Sequence, residues 1–395
     1  MAGFYLHVPF CARRCTYCDF YFVAGDKAPQ GFVAAALAEI DALADRYARR
    51  ERIETLYVGG GTPSRLPVAD LALLLDRVRL RFGADRLDEL TVEVNPDDAT
   101  PAYLAGLRAI GVDRLSVGIQ SFFDADLAWM NRAHDAAAAR RVVDDVRAAG
   151  FERFSIDLIF GLPHQAFETW AANVQRAIAL DVPHVSAYAL TVEPKTALGR
   201  AVDAGREAVP DDEATATAFR WTMDALRAAG YEHYEISSYA RAGQRAVHNS
   251  RYWTHANYLG AGPSAHSFWW PRRLSPEGDA STGPARRWRN VPNLGRYEAL
   301  ARAGQPVRED EAALSLTDLA NEYLMLRLRT SDGLDLGRLD DTYGADLIAE
   351  RVDEIAGLEE AGLTTLRSGT LRLTDEGKLV ADAVTTRLML DALPG

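Results

Sequence analysis

The first half of this chain alternates regularly between short apolar strands and amphipathic helices, and this pattern constrains the fold most. Strands are predicted at 4–8, 53–58, 90–94, 114–119, 154–160 and 184–190, and a helix or a long loop follows each. Such alternation predicts a parallel sheet with helices packed outside it. Polar and glycine-rich residues follow the strands at their carboxyl ends, where barrel enzymes place their chemistry. We therefore predict an α/β fold with a partial (β/α)6 TIM-like barrel.

The pattern changes after about residue 210, and a chain of 395 residues is long enough for two or three domains. We expect the barrel and a flanking helix over 1–238, a region of loops and strands over 239–305, and a mostly helical module over 306–395. This last module ends in a short hairpin and a helix, which is typical of a winged helix. A scaffolding role is favoured for it over nucleic-acid binding.

The composition excludes several classes of protein. A formal net charge of −12, from 44 basic and 56 acidic residues, disfavours nonspecific binding to nucleic acid or anionic lipid. Hydrophobic residues make up 48% of the chain, which argues against disorder. No apolar run approaches the roughly 18 residues of a membrane span, and no secretion signal is visible. We expect a cytoplasmic protein that neither spans a membrane nor binds nucleic acid.

The cysteines of the chain, Cys11, Cys15 and Cys18, all lie within eight residues. An odd, clustered set cannot form a disulfide framework. Three thiolates in a short loop can hold three irons of a [4Fe–4S] cluster and leave the fourth iron without a protein ligand. A zinc site would need a fourth ligand, which His7 on the first strand would have to supply. We therefore favour a cluster over zinc.

The motifs around these cysteines resemble those of the radical S-adenosylmethionine (SAM) superfamily. The general resemblance rests on CxxxCxxC after the first strand and on the glycine-rich turn after the second. A closer resemblance rests on the segments 5–11, 17–20, 59–64, 93–96, 114–122, 131–132 and 157–163. Together they are similar to the branch that contains oxygen-independent coproporphyrinogen III oxidases and HemW-type heme chaperones, over nearly the whole chain.

This resemblance implies a radical SAM barrel that carries a [4Fe–4S] cluster on the three cysteines and SAM on its open iron. The glycine turn would meet the methionyl amine, Glu93 the ribose hydroxyls, and Arg132 the carboxylate. The implied SAM-binding residues are Tyr5, Tyr17, Gly59, Gly60, Gly61, Thr62, Glu93, Gln120, Arg132, Asp157, Thr191 and His266. Purely structural roles stay open: a tight turn for the glycines, caps or ion pairs for the acids, a backbone contact for Gln120, and a surface position for Arg132.

Two departures from the oxidases favour the heme chaperones. The oxidases carry a further cysteine where this chain has Phe20, and they have a longer segment before the first strand. A third feature is the HNxxYW motif, formed by His248, Asn249, Tyr252 and Trp253, which is associated with heme in the HemW family. Imidazole ligates heme iron well, and aromatic rings offer flat faces to a macrocycle. His248 could instead only cap a loop.

The resemblance thus implies a heme chaperone that passes heme to an apo-hemoprotein, such as a respiratory enzyme at the membrane. Both a monomer and a homodimer are compatible with the sequence. The alternative is a radical SAM enzyme, either an oxygen-independent decarboxylase of coproporphyrinogen III or a catalyst of another radical reaction.

Overall fold

The computed structural model describes residues 2–25, 31–271 and 284–391. Strands β1 (Ala2–Val8), β2 (Phe10–Cys11), β3 (Val23–Ala24), β4 (Ile53–Gly60), β5 (Glu89–Val94), β6 (Arg114–Gln120), β7 (Arg153–Phe160) and β8 (His184–Ala189) occupy the first half. Helices α1 (Gly31–Tyr47), α2 (Val68–Phe82), α3 (Pro101–Ala109), α4 (Asp124–Trp129), α5 (Ala136–Ala148), α6 (Phe167–Ala179), α7 (Ala197–Asp203) and α8 (Asp212–Ala228) connect or follow them.

The six predicted strands are confirmed as β1 and β4 to β8, which pair in parallel and in chain order. The predicted helical faces pack against this sheet. On α2, the residues Leu71, Leu74 and Leu75 are fully buried, and each such side chain contributes about 1.5–3 kcal/mol. Gly83 ends this helix in the left-handed conformation, with φ 62°. The first helix was predicted over 27–50, of which 27–30 lie outside the described residues.

The sheet continues beyond the predicted barrel strands at both edges. The added elements are β9 (Glu232–Glu235), β10 (Ser238–Ala240), α9 (Val247–Trp253), β11 (Tyr258–Ala261), β12 (His266–Trp269), β13 (Ala285–Asn290), α10 (Leu294–Arg302) and β14 (Arg308–Leu314). β11 joins β1 in parallel, β12 to β14 follow it antiparallel, and β10 and β9 extend the edge next to β8. The region predicted over 239–305 therefore contributes strands to the main sheet.

The remaining elements form the predicted C-terminal module. They are α11 (Leu316–Leu328), β15 (Leu334–Asp335), α12 (Leu336–Tyr343), α13 (Leu347–Glu360), β16 (Thr364–Arg367), β17 (Thr370–Leu373), α14 (Asp375–Leu379) and α15 (Ala381–Leu388). β15, β17 and β16 make a small antiparallel sheet beside the helices, as in a winged helix. The module has its own apolar core, to which Phe268 and Trp270 also belong. No helix of the described residues is long and apolar enough to cross a membrane.

Helix α1 is attached to the extended part of the sheet through the buried carboxylate of Glu39. This group accepts hydrogen bonds from the Gly262 amide at 2.8 Å, the Asn290 side chain at 2.6 Å and the Tyr297 hydroxyl at 2.7 Å. Burial raises the pKa of Glu39 to about 7, although its hydrogen bonds oppose the shift. The folded protein therefore binds a proton here that the unfolded chain releases at lower pH.

We expect the stability that Glu39 contributes to be fully present below pH 4.5 and lost as the pH rises through 7. The unfolding free energy of Glu39→Gln minus that of the wild type should therefore increase by roughly 2–3 kcal/mol from pH 5 to pH 8. Urea unfolding of both proteins at the two pH values measures this change. The same difference between the two proteins at both pH values would contradict the raised pKa.

Candidate functional site

A cavity of about 440 Å³ lies inside the barrel and reaches the carboxyl ends of its strands, and this volume suits a small-molecule ligand. Most of the predicted site residues lie on its wall. They are Cys11, Cys15, Cys18, Tyr17, Gly60, Gly61, Thr62, Glu93, Gln120, Arg132, Asp157, Thr191 and Asn249. The parallel strands therefore bring together side chains that lie far apart in the sequence.

Three residues predicted to contact SAM do not line this cavity. Tyr5 lies behind Tyr57, since the two rings stack with their centroids 6.1 Å apart and Tyr57 forms the wall. Gly59 packs against the Glu93 side chain, and a Cβ on this glycine would lie 2.8 Å from a carboxylate oxygen of Glu93. His266 is exposed at the start of β12. None of the three lies on the wall of this cavity, and their contacts with SAM stay predictions.

The cysteine loop is fixed in place by contacts with two other parts of the chain. β2 and β3 pair across it, and the side-chain amide of Asn131 donates to the Arg14 carbonyl at 2.8 Å. The Thr16 carbonyl accepts from the Leu198 amide, also at 2.8 Å. The backbone of the loop is therefore held by the protein's own hydrogen bonds.

Two of the thiols already receive hydrogen bonds. The Thr62 hydroxyl donates to the sulfur of Cys11 at 3.6 Å, and the Arg132 guanidinium donates to that of Cys15 at 3.4 Å. Such donors suit thiolates that bind iron. Burial raises the pKa of Cys11 to about 11 and that of Cys18 to about 12. Cluster assembly must therefore release protons from these thiols.

The alternative of a zinc site requires His7, and the structure gives this residue other contacts. Its Nδ1 is hydrogen-bonded to the Tyr5 hydroxyl at 3.1 Å and its Nε2 to the Tyr21 carbonyl at 2.9 Å. Within the described ranges, no three histidine, cysteine or acidic side chains are grouped as ligands of a single ion. The irons of a cluster would bind separate cysteines and would not need His7.

The glycine turn after β4 allows the cysteine loop to approach the sheet closely. A Cβ on Gly61 would lie 2.8 Å from the Phe10 carbonyl oxygen and 3.0 Å from the sulfur of Cys11. Gly60 has φ +117°, and a Cβ there would meet the His7 ring at 2.7 Å. The turn therefore needs glycine both for its backbone conformation and for the close approach of the cysteine loop. We call Gly60 and Gly61 the glycine cradle.

Gly61→Ala is accordingly expected to displace the cysteine loop, at a cost of about 1–3 kcal/mol for overpacking, and to lose most of the reconstituted iron. Gly295→Ala is the matched control, because the nearest atom to its Cβ would lie 3.7 Å away. Iron per chain after anaerobic reconstitution, with circular dichroism to check the fold, measures the effect. Equal iron in both variants would contradict the claim that the glycine cradle positions the cysteine loop.

Two carboxylates lie on the cavity wall with oxygens that can accept further hydrogen bonds. Glu93 accepts hydrogen bonds from the Tyr57 hydroxyl at 2.8 Å and from the Gly60 amide at 3.1 Å. Asp157 accepts one from the Ser116 hydroxyl at 3.2 Å. Burial, reinforced by the Asp157 charge, raises the pKa of Glu93 to about 7, and burial also raises that of Asp157. The two acids could accept hydroxyl groups of a ligand and attract its positive charge.

Arg132 joins the cysteine loop to the strand ends and is not a surface residue. Its guanidinium donates to Asn95 Oδ1 at 2.7 Å and to the Gly118 carbonyl at 2.8 Å. Asn95 in turn donates to the Thr62 hydroxyl at 3.2 Å. Sequence reasoning missed Asn95 as a site residue, although it follows β5 directly, as the predicted site residues follow other strands. Gln120 ends β6 with φ 68°, a costly backbone conformation for this residue.

The HNxxYW motif forms helix α9 and lies near the opposite, amino end of the barrel strands. His248 is only 1% exposed. Its Nδ1 is hydrogen-bonded to Thr55 near the start of β4, and its Nε2 to the Tyr252 hydroxyl, both at 2.9 Å. The amides of Val247 and His248 donate to the Glu89 carboxylate, each at 2.9 Å. Helix α9 therefore forms a floor below the cavity, which Asn249 reaches.

This placement bears on the predicted heme contacts. Both ring nitrogens of His248 are hydrogen-bonded, so this side chain could bind iron through one of them only by giving up that hydrogen bond. Tyr252 packs edge-on between His248 and Tyr258, at 5.1 Å and 4.8 Å between ring centroids, and Trp253 is half-buried. Arg251 is paired with Glu54 and Asp88, at 2.7 Å and 2.8 Å. The motif therefore packs against the barrel in this structure, and its contacts with heme stay a prediction.

Known proteins are similar to this chain over its whole length. The profile of the Radical SAM superfamily matches residues 5–177, and that of the HemN C-terminal domain matches 314–380. The chain is 39% identical to "Heme chaperone HemW" of Mycobacterium tuberculosis, covering 98% of this chain and 94% of the relative. It is 32% identical to "Heme chaperone HemW" of Bacillus subtilis, covering 97% and 98%.

One solved structure has the same fold. The coproporphyrinogen III oxidase HemN from Escherichia coli, a radical SAM enzyme, superposes with a TM-score of 0.80. The alignment covers 98% of this chain and 90% of the oxidase, at 24% sequence identity. This likeness confirms the predicted fold.

Proposed function

This chain belongs to the HemW family within the radical SAM superfamily, and we propose that it is a heme chaperone that binds heme and transfers it to apo-hemoproteins. The observation that carries the proposal is the similarity to heme chaperones along nearly the entire chain. Phe20, which stands where the oxidases have a further cysteine, also supports a chaperone. We propose that the protein acts in the cytoplasm and that its acceptor is a respiratory hemoprotein.

The cofactors of the family are a [4Fe–4S] cluster and SAM, and the cavity suits both. Cys11, Cys15 and Cys18 would hold the cluster, and the glycine cradle brings their loop against the sheet. When bound, the cluster can transfer an electron to the sulfonium of SAM and so supply radical chemistry. The protein's own part is to bind and orient the two groups.

The roles we propose for the cavity residues follow from their chemistry. Arg132, which is held by Asn95 and Gly118 beside Cys15, would bind the carboxylate of SAM. Glu93 would accept the ribose hydroxyls, and Asp157 adds a negative field that favours a sulfonium cation. The remaining proposed contacts line the same wall: Tyr17, Gly60, Gly61, Thr62, Gln120 and Thr191.

The alternative function, oxygen-independent decarboxylation of coproporphyrinogen III, is favoured by the fold of the oxidase and by a cavity that retains the site residues. An anaerobic assay separates it from the chaperone. The reconstituted protein is given coproporphyrinogen III, SAM and a reductant, and the products are separated by chromatography. We expect no protoporphyrinogen IX, whereas several turnovers per protein would overturn the proposed function.

A further inference from the structure

A second cavity, of about 270 Å³, lies between helix α1, strand β13 and the segment that joins α10 to β14. We call it the α1 cleft. None of the described residues that line it also lines the barrel cavity. Its volume is somewhat below the roughly 300–1,000 Å³ of sites for drug-sized ligands. The cleft therefore has room for a small ligand, which could bind there while the barrel cavity is occupied.

Small side chains keep the α1 cleft open. On α1, Ala38, Ala42 and Arg46 recur at intervals of four residues, line the cleft and are exposed to solvent. The neighbouring helix contributes Ala301, and Gly304 follows that helix. Alanine and glycine leave a gap between the two helices that larger side chains would close. The cleft is therefore open to solvent, and its size depends on the side chain at position 42.

One end of the α1 cleft is aromatic and cationic. The rings of Tyr47 and Trp288 stack with their centroids 5.8 Å apart. Arg46 lies over the Tyr47 ring, 5.3 Å from its centre, and has no ion-pair partner among the described residues. Arg308 lies 5.9 Å from the centre of the Trp288 ring and pairs with Glu311 through its Nε at 3.3 Å. This end therefore suits a carboxylate, because Arg46 can bind it beside a flat aromatic surface.

The other end of the α1 cleft is polar and buried. It is formed by Glu39 and Asn290, whose exposed fractions are 6% and 1%. Glu39 already accepts three hydrogen bonds, one of them from the Asn290 side chain at 2.6 Å. The Asn290 Oδ1 has no hydrogen-bond partner among the described residues. Since a buried oxygen without a partner is unfavourable, a donor at the inner end of a ligand would be stabilised there.

The distance between the two ends limits the length of a ligand. Glu39 and Arg46 are seven residues apart on α1, and a helix rises about 1.5 Å per residue, so the ends lie about 10 Å apart. A single aromatic ring with a short acidic side chain and a hydroxyl opposite to it is about long enough to form a hydrogen bond at each end.

We propose that the α1 cleft is a binding site for a small aromatic carboxylate that carries a hydroxyl group at its far end. Arg46 binds the carboxylate, and Asn290 accepts a hydrogen bond from the hydroxyl. The rings of Tyr47 and Trp288 lie beside the aromatic body. The site shares no residue with the proposed cluster and SAM sites, so the absence of this ligand would leave the proposed function unchanged.

The test is a titration of the reconstituted full-length protein with 4-hydroxyphenylacetate, followed by saturation-transfer NMR, with SAM in excess to occupy the barrel cavity. We expect saturable binding with a Kd of about 1 mM or below. Phenylacetate lacks the hydroxyl and tyramine has an ammonium group in place of the carboxylate, so each should bind at least about threefold more weakly. No saturable binding of 4-hydroxyphenylacetate, or equal binding of either analogue, would overturn the inference.

Two variants locate the ligand, each with a control nearby. Ala42→Leu should fill the cleft and abolish binding, whereas Ala34→Leu, at an exposed alanine of α1 outside the cleft, should not change it. Arg46→Gln should weaken binding at least about threefold, and Arg49→Gln, just beyond the helix, should leave it unchanged. Circular dichroism checks that the variants are folded. Full binding by a folded Ala42→Leu, or unchanged binding by Arg46→Gln, would place the ligand elsewhere and overturn the inference.

Discussion

Cys15→Ala is expected to reduce the iron of the reconstituted protein from about four atoms per chain to almost none. The two remaining cysteines cannot hold a cluster whose fourth iron already lacks a protein ligand. The change also leaves the Arg132 guanidinium without the sulfur that it meets at 3.4 Å. Iron and sulfide analysis, together with the visible absorption of the cluster, measures the loss.

Phe20→Ala is the matched control for this experiment, because Phe20 belongs to the same loop and its side chain is 67% exposed. This variant should keep its iron, and circular dichroism should show that both variants are folded. A full complement of iron in Cys15→Ala would contradict the cluster assignment.

The second large effect is expected from Glu89→Ala, which should destabilise the protein by about 3–5 kcal/mol. Glu89 is fully buried and pairs with Arg153 at 2.8 Å and with the buried Arg114 at 3.8 Å. It also accepts the first amides of α9. Removal of the Glu89 carboxylate leaves the positive charge of Arg114 without its paired acid inside the barrel. Helix α9 also loses the acceptor of its first amides.

Urea unfolding of Glu89→Ala measures this effect, and Glu54→Ala on the neighbouring strand is its control. Glu54 pairs with Arg251, which also contacts Asp88 and so retains a partner. The control should lose no more than about 1 kcal/mol. A similar loss of unfolding free energy in both variants would show that Glu89 does not stabilise helix α9 specifically.

Much of the barrel could be predicted because its signals are local. The alternation of strands and helices and the apolar face of α2 follow from the spacing of residues within single elements. The meeting of Glu93, Gln120 and Asp157 follows from one further rule, that parallel strands end at the same edge of a sheet. These residues therefore line one cavity although the sequence separates them widely.

The packing of the HNxxYW helix could not be predicted, because it depends on distant partners. The motif contains residue types that suit heme, but the burial of His248 results from contacts with Thr55 and with the carboxylate of Glu89. Neither residue is distinctive in the sequence, since each lies near the start of an ordinary strand. The exposure of His266 likewise depends on how β12 joins the sheet, which no local pattern encodes.

Heme transfer tests the central claim most directly. The reconstituted protein is loaded with one hemin per chain, freed of excess, and mixed anaerobically with a heme-free respiratory cytochrome. We expect the Soret spectrum of the cytochrome to appear while this protein loses an equal amount of heme. Retention of the heme, with conversion of coproporphyrinogen III to protoporphyrinogen IX under the same conditions, would contradict the account.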